Sequence, residues 1–326
     1  RIKTAEKKSK NGSNEHCRSI MAKQKLLVIA GPTAVGKTKL GIECAKLFNG
    51  EIISADCMQV YKKLDIGTAK ASPDEQAQAV HHMIDFVDPK ENYDVAQFKE
   101  QATNLIKDIS SRGKLPIVVG GTGMYIESLL YPFEFCNSEK NEQIRSCYKK
   151  LLEEKGNQYV YDLLVKIDPK TAQKLHPNDT KRVIRALEIY DTTGIPKSEQ
   201  VQEKISDYDY KLLFLNTDRE VLYDRINKRV DIMLYEGLEN EVKSLLAEGI
   251  TRENQCFQGI GYREFFDYFD NKISYDELIS KIKQDSRNYA KRQITWFRHM
   301  KNAEEVDIKN LDDIIKSVEI WLKTNN

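Results

Sequence analysis

The string GPTAVGKT at residues 31–38 follows a short apolar run, 26–30, and precedes a stretch in which Leu40, Cys44, Leu47 and Phe48 recur at helical spacing. Few local patterns constrain a fold as tightly. A continuous apolar strand of this kind is buried on both faces, which requires parallel neighbours covered by helices. The glycine-rich turn then delivers the start of a helix, whose unpaired N–H groups favour an anion. The residues match GxxxxGK[ST] in the strand–turn–helix setting that gives the pattern its meaning. The backbone of Gly31, Pro32, Thr33, Ala34, Val35 and Gly36 would cradle phosphate oxygens, and Lys37 would bring a point charge to them. The Thr38 hydroxyl suits a magnesium ion that bridges phosphates. The motif specifies a polyphosphate and leaves the rest of the ligand open.

Further apolar runs at 51–56, 81–89, 115–125 and 210–220 alternate with helical patterns, one of them at 95–110. Such alternation predicts an α/β fold, a P-loop NTPase-like parallel sheet flanked by helices. Ligands of these sheets bind beyond the carboxyl ends of the strands. That rule gathers residues 31–38, Asp56, the glycine-rich end at 120–123 with Thr122, and the helix after Thr217. Between 131 and 204 three helical segments follow one another with no strand between them, which predicts an all-helical insertion. The core would then comprise 21–130 and 205–326, and the chain after the strand at 210–220 is expected to be helical. A capping box of Ser274 and Glu277 opens a helix expected over 275–300.

Composition narrows the function less. Hydrophobic residues make up 40 % and charged residues 31 %, as in ordinary globular proteins. No run approaches the roughly 18 apolar residues of a membrane span. The first 25 residues carry eight Lys/Arg against two Asp/Glu, which leaves the rest of a chain of net charge +1 with a net charge of −5. Any nucleic-acid surface must therefore be a local stripe. Residues 1–20 read as a disordered basic lead-in without the apolar segment of a secretory signal. The six cysteines form no CxxC pair, and no histidine has metal-ligand spacing, so a reducing cytoplasm is the expectation.

Basic residues recur on three helices. Arg225 and Arg229 are four apart and share a face suited to clamping a diphosphate. Lys181, Arg182 and Arg185 cluster in the insertion, and Lys281, Arg287, Lys291, Arg292 and Arg298 lie along the last long helix. A solvated helix face is the default for each stripe. Three stripes in one chain raise the case for a phosphate-backbone partner. Asp56, at a strand end, suits a general base or an ordinary turn. The glycines at 120, 121 and 123 suit either a tight turn or close approach by a ligand.

Taken together, GPTAVGKT, ISADCMQVY, DIGTAK, DFVDP, VVGGTGMY, HPNDTKRVIRALE, GIGYREF and YAKRQITWFR run in order from about residue 28 to 298. The set resembles the tRNA dimethylallyltransferase (isopentenyltransferase) family. The resemblance implies transfer of a dimethylallyl group from dimethylallyl diphosphate to the exocyclic amine of the adenosine 3′-adjacent to the anticodon. It implies magnesium at the diphosphate and a helical insertion that grips the anticodon stem-loop. By position, residues 31–38 match the diphosphate loop, Asp56 the proposed general base and Thr122 a substrate contact. Arg225 and Arg229 match a basic pair near the diphosphate. Asp56, Cys57, Met58 and Gln59 match a tRNA-contact segment, as do Lys181, Arg182 and Arg185, then Gln258, Gly261, Tyr262 and Arg263, then Lys291, Arg292 and Gln293, with Arg145 a further contact. Cys57 stands where the family commonly has Ser. The appended zinc-finger segment of eukaryotic relatives is absent, which sets the expectation of a bacterial-type, cytoplasmic enzyme. One site per chain sets the expectation of a monomer. The motif and sheet would equally serve a small-molecule kinase using ATP, or an RNA-stimulated ATPase with the insertion as its interaction surface.

Overall fold

The computed structural model describes residues 23–131, 141–200 and 205–324. The lead-in expected at 1–20 lies outside these residues. Six parallel strands form one sheet in the order β3-β2-β4-β1-β5-β6: β1 Gln24–Ala30, β2 Gly50–Ala55, β3 His81–His82, β4 Leu115–Gly120, β5 Tyr208–Asn216 and β6 Ala303–Asp307. β1 lies between β4 and β5, and Leu26 to Ala30 are fully buried. This is the P-loop-like α/β architecture expected. The register brings three strands to a common end, with Gly120 opposite both Ala30 and Ala55.

Two strands differ from the sequence reading. The run at 81–89 joins β2 only through its two histidines, with one isolated parallel bridge farther along between Val87 and Tyr61. The chain then turns through Met83 and Asp85, both with positive φ. β6 was not expected at all, because its sequence, AEEVD, carries one large apolar residue. It is an edge strand held by polar cross-strand pairs: Lys211 with Glu304 at 2.5 Å and Asn216 with Glu305 at 2.6 Å. Charged edges of this kind look unlike strands by hydropathy.

Helices α1 Lys37–Leu47, α2 Pro73–Gln78, α3 Val95–Ser111 and α4 Gly123–Leu130 follow the first four strands. The chain divides into two compact units by contact: one formed by the chain up to Leu130 together with everything from Ser206 onward, the other by Tyr131–Ile205. The second unit contains α5 Glu142–Ile167, α6 Pro169–Ala172 and α7 Thr180–Thr193. α5 is two helices joined at Gly156, whose φ of 82° is non-helical. Val160, Leu164, Ala172, Val183, Ala186 and Leu187 form the core of this unit. The first unit closes with α8 Arg219–Tyr235, α9 Leu238–Ala247, α10 Phe265–Phe269, α11 Tyr275–Arg298 and α12 Leu311–Lys323. The capping box is present at α11, where Glu277 N–H donates to Ser274 and the Glu277 carboxylate accepts from Ser274 N–H.

The helical unit holds a charged centre the sequence did not reveal. Glu188 on α7 is fully buried. Its carboxylate accepts from Arg145 Nε at 3.0 Å and Asn141 N at 3.0 Å, and it pairs with Arg185 at 2.8 Å. Arg145 and Arg185, expected on the RNA, thus first neutralise a buried carboxylate. Lys181 and Arg182 on the same helix are exposed. Replacing both Arg145 and Arg185 with Met would leave Glu188 with only the Asn141 amide. We expect a loss at or below the ~3–5 kcal/mol typical of a broken buried pair, because each guanidinium is partly exposed. Urea unfolding followed by circular dichroism measures it. A loss below about 1 kcal/mol, the scale of a surface pair, would show that water already screens Glu188.

Candidate active site

Loop 31–38 leaves β1 and reverses into α1. Gly36 takes a φ of 106° and Ala34 one of 63°, so the turn is tight. A side chain on Gly31 would place its Cβ 2.6 Å from the Leu215 carbonyl oxygen. Val35 turns inward and joins the core, so its part in a phosphate loop is limited to its backbone. Thr33, Ala34, Gly36, Lys37 and Thr38 line a cavity of about 530 Å³. Lys37 is partly buried there, with its ammonium donating to the Pro32 carbonyl at 2.7 Å. Burial lowers its pKa to about 7, against the opposing pull of Asp56 and with the help of Arg229. A desolvated cation is a strong receptor for an anion that enters the cavity.

Asp56 stands at the end of β2 and lines the same cavity. One carboxylate oxygen, Oδ1, accepts from Met58 N at 2.9 Å and Gln59 N at 3.3 Å. The residue is therefore a turn former through one oxygen, and the pair of readings offered by the sequence are compatible. Cys57, Met58 and Gln59 complete this wall. The Cys57 amide donates to the Thr122 hydroxyl at 3.1 Å, so the backbone contact at this position does not depend on the side chain being Ser. Burial and the neighbouring Asp56 push the Cys57 thiol up to about 11. Thr122 sits behind Cys57 and is not among the lining residues.

Arg229 and Arg225 part company. Arg229 lines the cavity and donates to Thr33 Oγ1 at 3.4 Å and the Ala69 carbonyl at 3.5 Å. Arg225, one turn earlier, is not in the lining. The sequence could not separate two arginines on one helical face; depth in the cleft does.

Helix α11 covers the strand ends. Gly121 and Gly123 admit this helix rather than a ligand: Cβ atoms there would lie 2.2 Å from Gln293 Nε2 and 2.4 Å from the Trp296 ring. Gln293, expected along the RNA, is 5 % exposed and works internally. Its amide oxygen accepts from Thr33 N at 3.0 Å, and its amide nitrogen donates to the Gly121 carbonyl at 2.9 Å. It thereby ties the phosphate loop to the end of β4. Tyr262 corrects a similar expectation: it is buried, and its hydroxyl donates to Glu241 at 2.6 Å. Gly261 is buried beside it. Gln258 and Arg263 are exposed at the cavity, with Arg263 paired to Glu264 and Asp285. Lys291 and Arg292 are exposed, and Arg292 lies over the Tyr289 ring and reaches the cavity.

The sequence reading missed the apolar part of the site. Ile226, Val230 and Met233 on α8 and Ile282 on α11 line the cavity, as does Tyr289. Burial and the neighbouring Cys57 and Asp56 hold the ionisation of Tyr289 far above the ordinary tyrosine range. Positions 226, 230 and 233 carried the i, i+4, i+7 signal of a buried helix face. Nothing in the sequence distinguishes a core face from a cavity wall.

The fold and this cavity define a protein of the P-loop-like α/β class. The comparisons with known proteins go further. Residues 59–300 match the family model described as IPP transferase. The tRNA dimethylallyltransferase of Bacillus mycoides is 46 % identical over 311 residues, covering 93 % of this chain and 98 % of its own. That of Bacillus cytotoxicus is 47 % identical with the same coverage. The solved tRNA isopentenylpyrophosphate transferase of Bacillus halodurans superposes with a TM-score of 0.71 at 44 % identity, covering 92 % of this chain and 97 % of that one. A eukaryotic dimethylallyltransferase solved acting on tRNA gives 0.75 at 36 % identity, over 91 % of this chain and 77 % of its own. The chain belongs to the IPP transferase family, the tRNA dimethylallyltransferases, and to its bacterial type. Among the described residues no helix is long and apolar enough to cross a membrane.

Gln293→Leu removes both internal hydrogen bonds of its amide. Each buried group left unpaired costs about 1–3 kcal/mol. We expect a lower melting temperature and an affinity for inorganic diphosphate reduced about tenfold or more, read by calorimetry. Unchanged diphosphate binding would show that the phosphate loop keeps its shape without this tie.

Proposed function

We propose that this chain transfers the dimethylallyl group of dimethylallyl diphosphate to the exocyclic amine of the adenosine 3′-adjacent to the anticodon in tRNA. The observation that carries this reading is the division of one cavity into three chemistries. A cationic end is made by loop 31–38, Lys37 and Arg229. An apolar wall is made by Ile226, Val230, Met233 and Ile282. A carboxylate, Asp56, lines the same cavity, near enough to Lys37 and Arg229 to act on both. A kinase or an RNA-stimulated ATPase could use an apolar lining for a nucleobase; the relationship to tRNA dimethylallyltransferases over nearly the whole chain favours the allyl group instead.

In this reading the loop amides, Lys37 and Arg229 hold the diphosphate and stabilise the charge that develops as its bond to the allylic carbon breaks. Arg225 supports the helix outside the cavity. Thr38 lines the cavity, and its hydroxyl, together with diphosphate oxygens and water, would give the hard oxygen donors that magnesium prefers. Bound there, magnesium would neutralise diphosphate charge. The adenine amine cannot reach the allylic carbon from within a stacked loop, so the base enters flipped out of its stack. Asp56 accepts the proton that the amine gives up as the nitrogen–carbon bond forms. One of its oxygens stays fixed by the Met58 and Gln59 amides, which aims the other. Thr122 holds the Cys57 backbone beside the entering base. Tyr289 packs at the same place.

The tRNA lies along Gln258, Arg263, Lys291 and Arg292, and the helical unit offers Lys181 and Arg182 to the anticodon stem. Arg145 and Arg185 contribute whatever edge of their guanidinium groups Glu188 leaves outward. Such contacts position the backbone and carry little sequence information. The chain works as a monomer in the cytoplasm, where its RNA substrate resides.

Incubation with labelled dimethylallyl diphosphate and unmodified tRNA should move label into the RNA. Phosphate transfer from ATP with no allyl transfer would overturn the reading in favour of a kinase. Asp56→Asn should lower turnover by about two to four orders of magnitude, the usual worth of a general base, with tRNA affinity preserved. Near-normal turnover would remove Asp56 from that role. Replacing Lys181 and Arg182 together with Ala should flatten the salt dependence of tRNA binding by about one to two units of slope. An unchanged slope would return this helix face to solvent.

A further inference from the structure

The string DIGTAK at 65–70 belongs to the matched motifs, yet the reaction outlined above gives it no task. Its backbone forms part of the cavity wall through Gly67, Thr68 and Ala69. On the far side of the turn, three successive amides converge on one carboxylate. Glu241 Oε2 accepts from Asp65 N at 2.9 Å and Ile66 N at 2.8 Å, and Oε1 accepts from Gly67 N at 3.1 Å. Successive amides arranged in this way make an anion-binding concavity. Here the concavity is filled by the chain's own carboxylate, so it is not a second phosphate site. The same Oε1 accepts from the Tyr262 hydroxyl at 2.6 Å. The Tyr262 ring lies against the turn so closely that a Cβ on Gly67 would sit 2.5 Å from it.

On its cavity side the turn presents two carbonyls. Gln59 Nε2 donates to Thr68 O at 3.2 Å and to Ala69 O at 3.3 Å. Arg229 donates to Ala69 O at 3.5 Å, and its other contact, Thr33 Oγ1, is also long at 3.4 Å. A partly buried guanidinium held by two long bonds takes its direction from whatever fixes those acceptors. Ala69 is fixed in turn by a left-handed φ of 44° and by its amide bond to Ile66 O at 3.0 Å. Lys70 closes the turn from below, donating to Tyr61 O at 2.9 Å and pairing with Asp65 and Asp85.

We infer that Glu241 is a positioning residue for the diphosphate end of the site, acting through the 65–69 turn on Arg229 and Gln59. Glu241 itself is not in the cavity lining, so it acts only through the backbone it holds. The inference rests on the reading that Arg229 faces the diphosphate. It gives two otherwise unexplained motifs one purpose. The glycine in 65–70 admits the Tyr262 ring, and the tyrosine in 259–265 anchors the carboxylate that organises the turn.

The test compares the full chain with Glu241→Ala, Glu241→Gln and Tyr262→Phe. Each is measured for melting temperature, tRNA affinity, affinity for inorganic diphosphate, and separate KM and kcat values for both substrates. We expect Glu241→Ala to raise the KM for dimethylallyl diphosphate and weaken diphosphate binding by about tenfold or more, while tRNA affinity stays within about twofold. Glu241→Gln keeps one acceptor oxygen for the amides and should fall between wild type and Glu241→Ala. Tyr262→Phe keeps the ring against Gly67 and loses only the hydroxyl, so it should show a smaller shift of the same kind even if Glu241→Ala folds poorly. Equal diphosphate affinity in wild type and variants would overturn the inference. So would loss of tRNA affinity in step with diphosphate affinity and melting temperature, which would make Glu241 a support of the fold alone. If the wild type transfers no allyl group, the functional reading fails, and the diphosphate-binding comparison still decides the role of Glu241.

Discussion

The site depends on a coincidence of strand ends. Ala30, Ala55 and Gly120 stand in one row across three adjacent parallel strands, so the chain leaves β1, β2 and β4 at the same height. Parallel sheets open a crevice beyond such ends. The phosphate loop, Asp56 and the glycine-rich segment around Thr122 each begin one residue past that row. Their proximity is therefore a property of the sheet register, and a slip of one residue in any pair would carry one of the three out of reach.

A row of strand ends is still an open edge. The C-terminal part of the core unit makes it a cavity. Helix α8 supplies Arg229 and an apolar face, and α11 supplies Gln293, Tyr289 and Arg292. The glycines at 121 and 123 set how closely α11 can lie on the edge. Burial then does chemical work. It takes water from Lys37 and Arg229, so both cations are held at an energetic disadvantage until an anion arrives. It also provides an apolar wall beside them, which is the combination an uncharged hydrocarbon attached to a diphosphate requires.

How much of this was legible in the sequence follows from what leaves a local trace. The phosphate loop did, because a strand, a glycine turn and a helix lie within 24 residues. The central strands did, because burial on both faces makes them continuously apolar. β6 did not, because an edge strand stabilised by Lys211–Glu304 and Asn216–Glu305 carries polar residues where a strand pattern needs apolar ones. The roles of Gln293, Tyr262 and Glu241 did not, because each acts on a partner far away in sequence, and an inward amide looks the same in one dimension as an outward one. The buried Glu188 escaped for the same reason. Arginines at 145 and 185 read as a basic surface until their shared carboxylate is seen. The family resemblance named Gln293, Tyr262, Arg145 and Arg185 as RNA contacts but could not say which way they face.

The closure of the site by α11 has a consequence for how the enzyme is made. During synthesis the phosphate loop emerges long before residue 293, whose side chain ties it to the end of β4. β1 itself pairs on one side with β5, nearly two hundred residues later. Contacts of such long sequence separation are slow to form. The helical unit at Tyr131–Ile205 emerges in the interval, with a core of its own to assemble. The nascent chain therefore carries an unfinished sheet edge until these later segments are made. It gains a complete active site only when α11 and β6 have both followed.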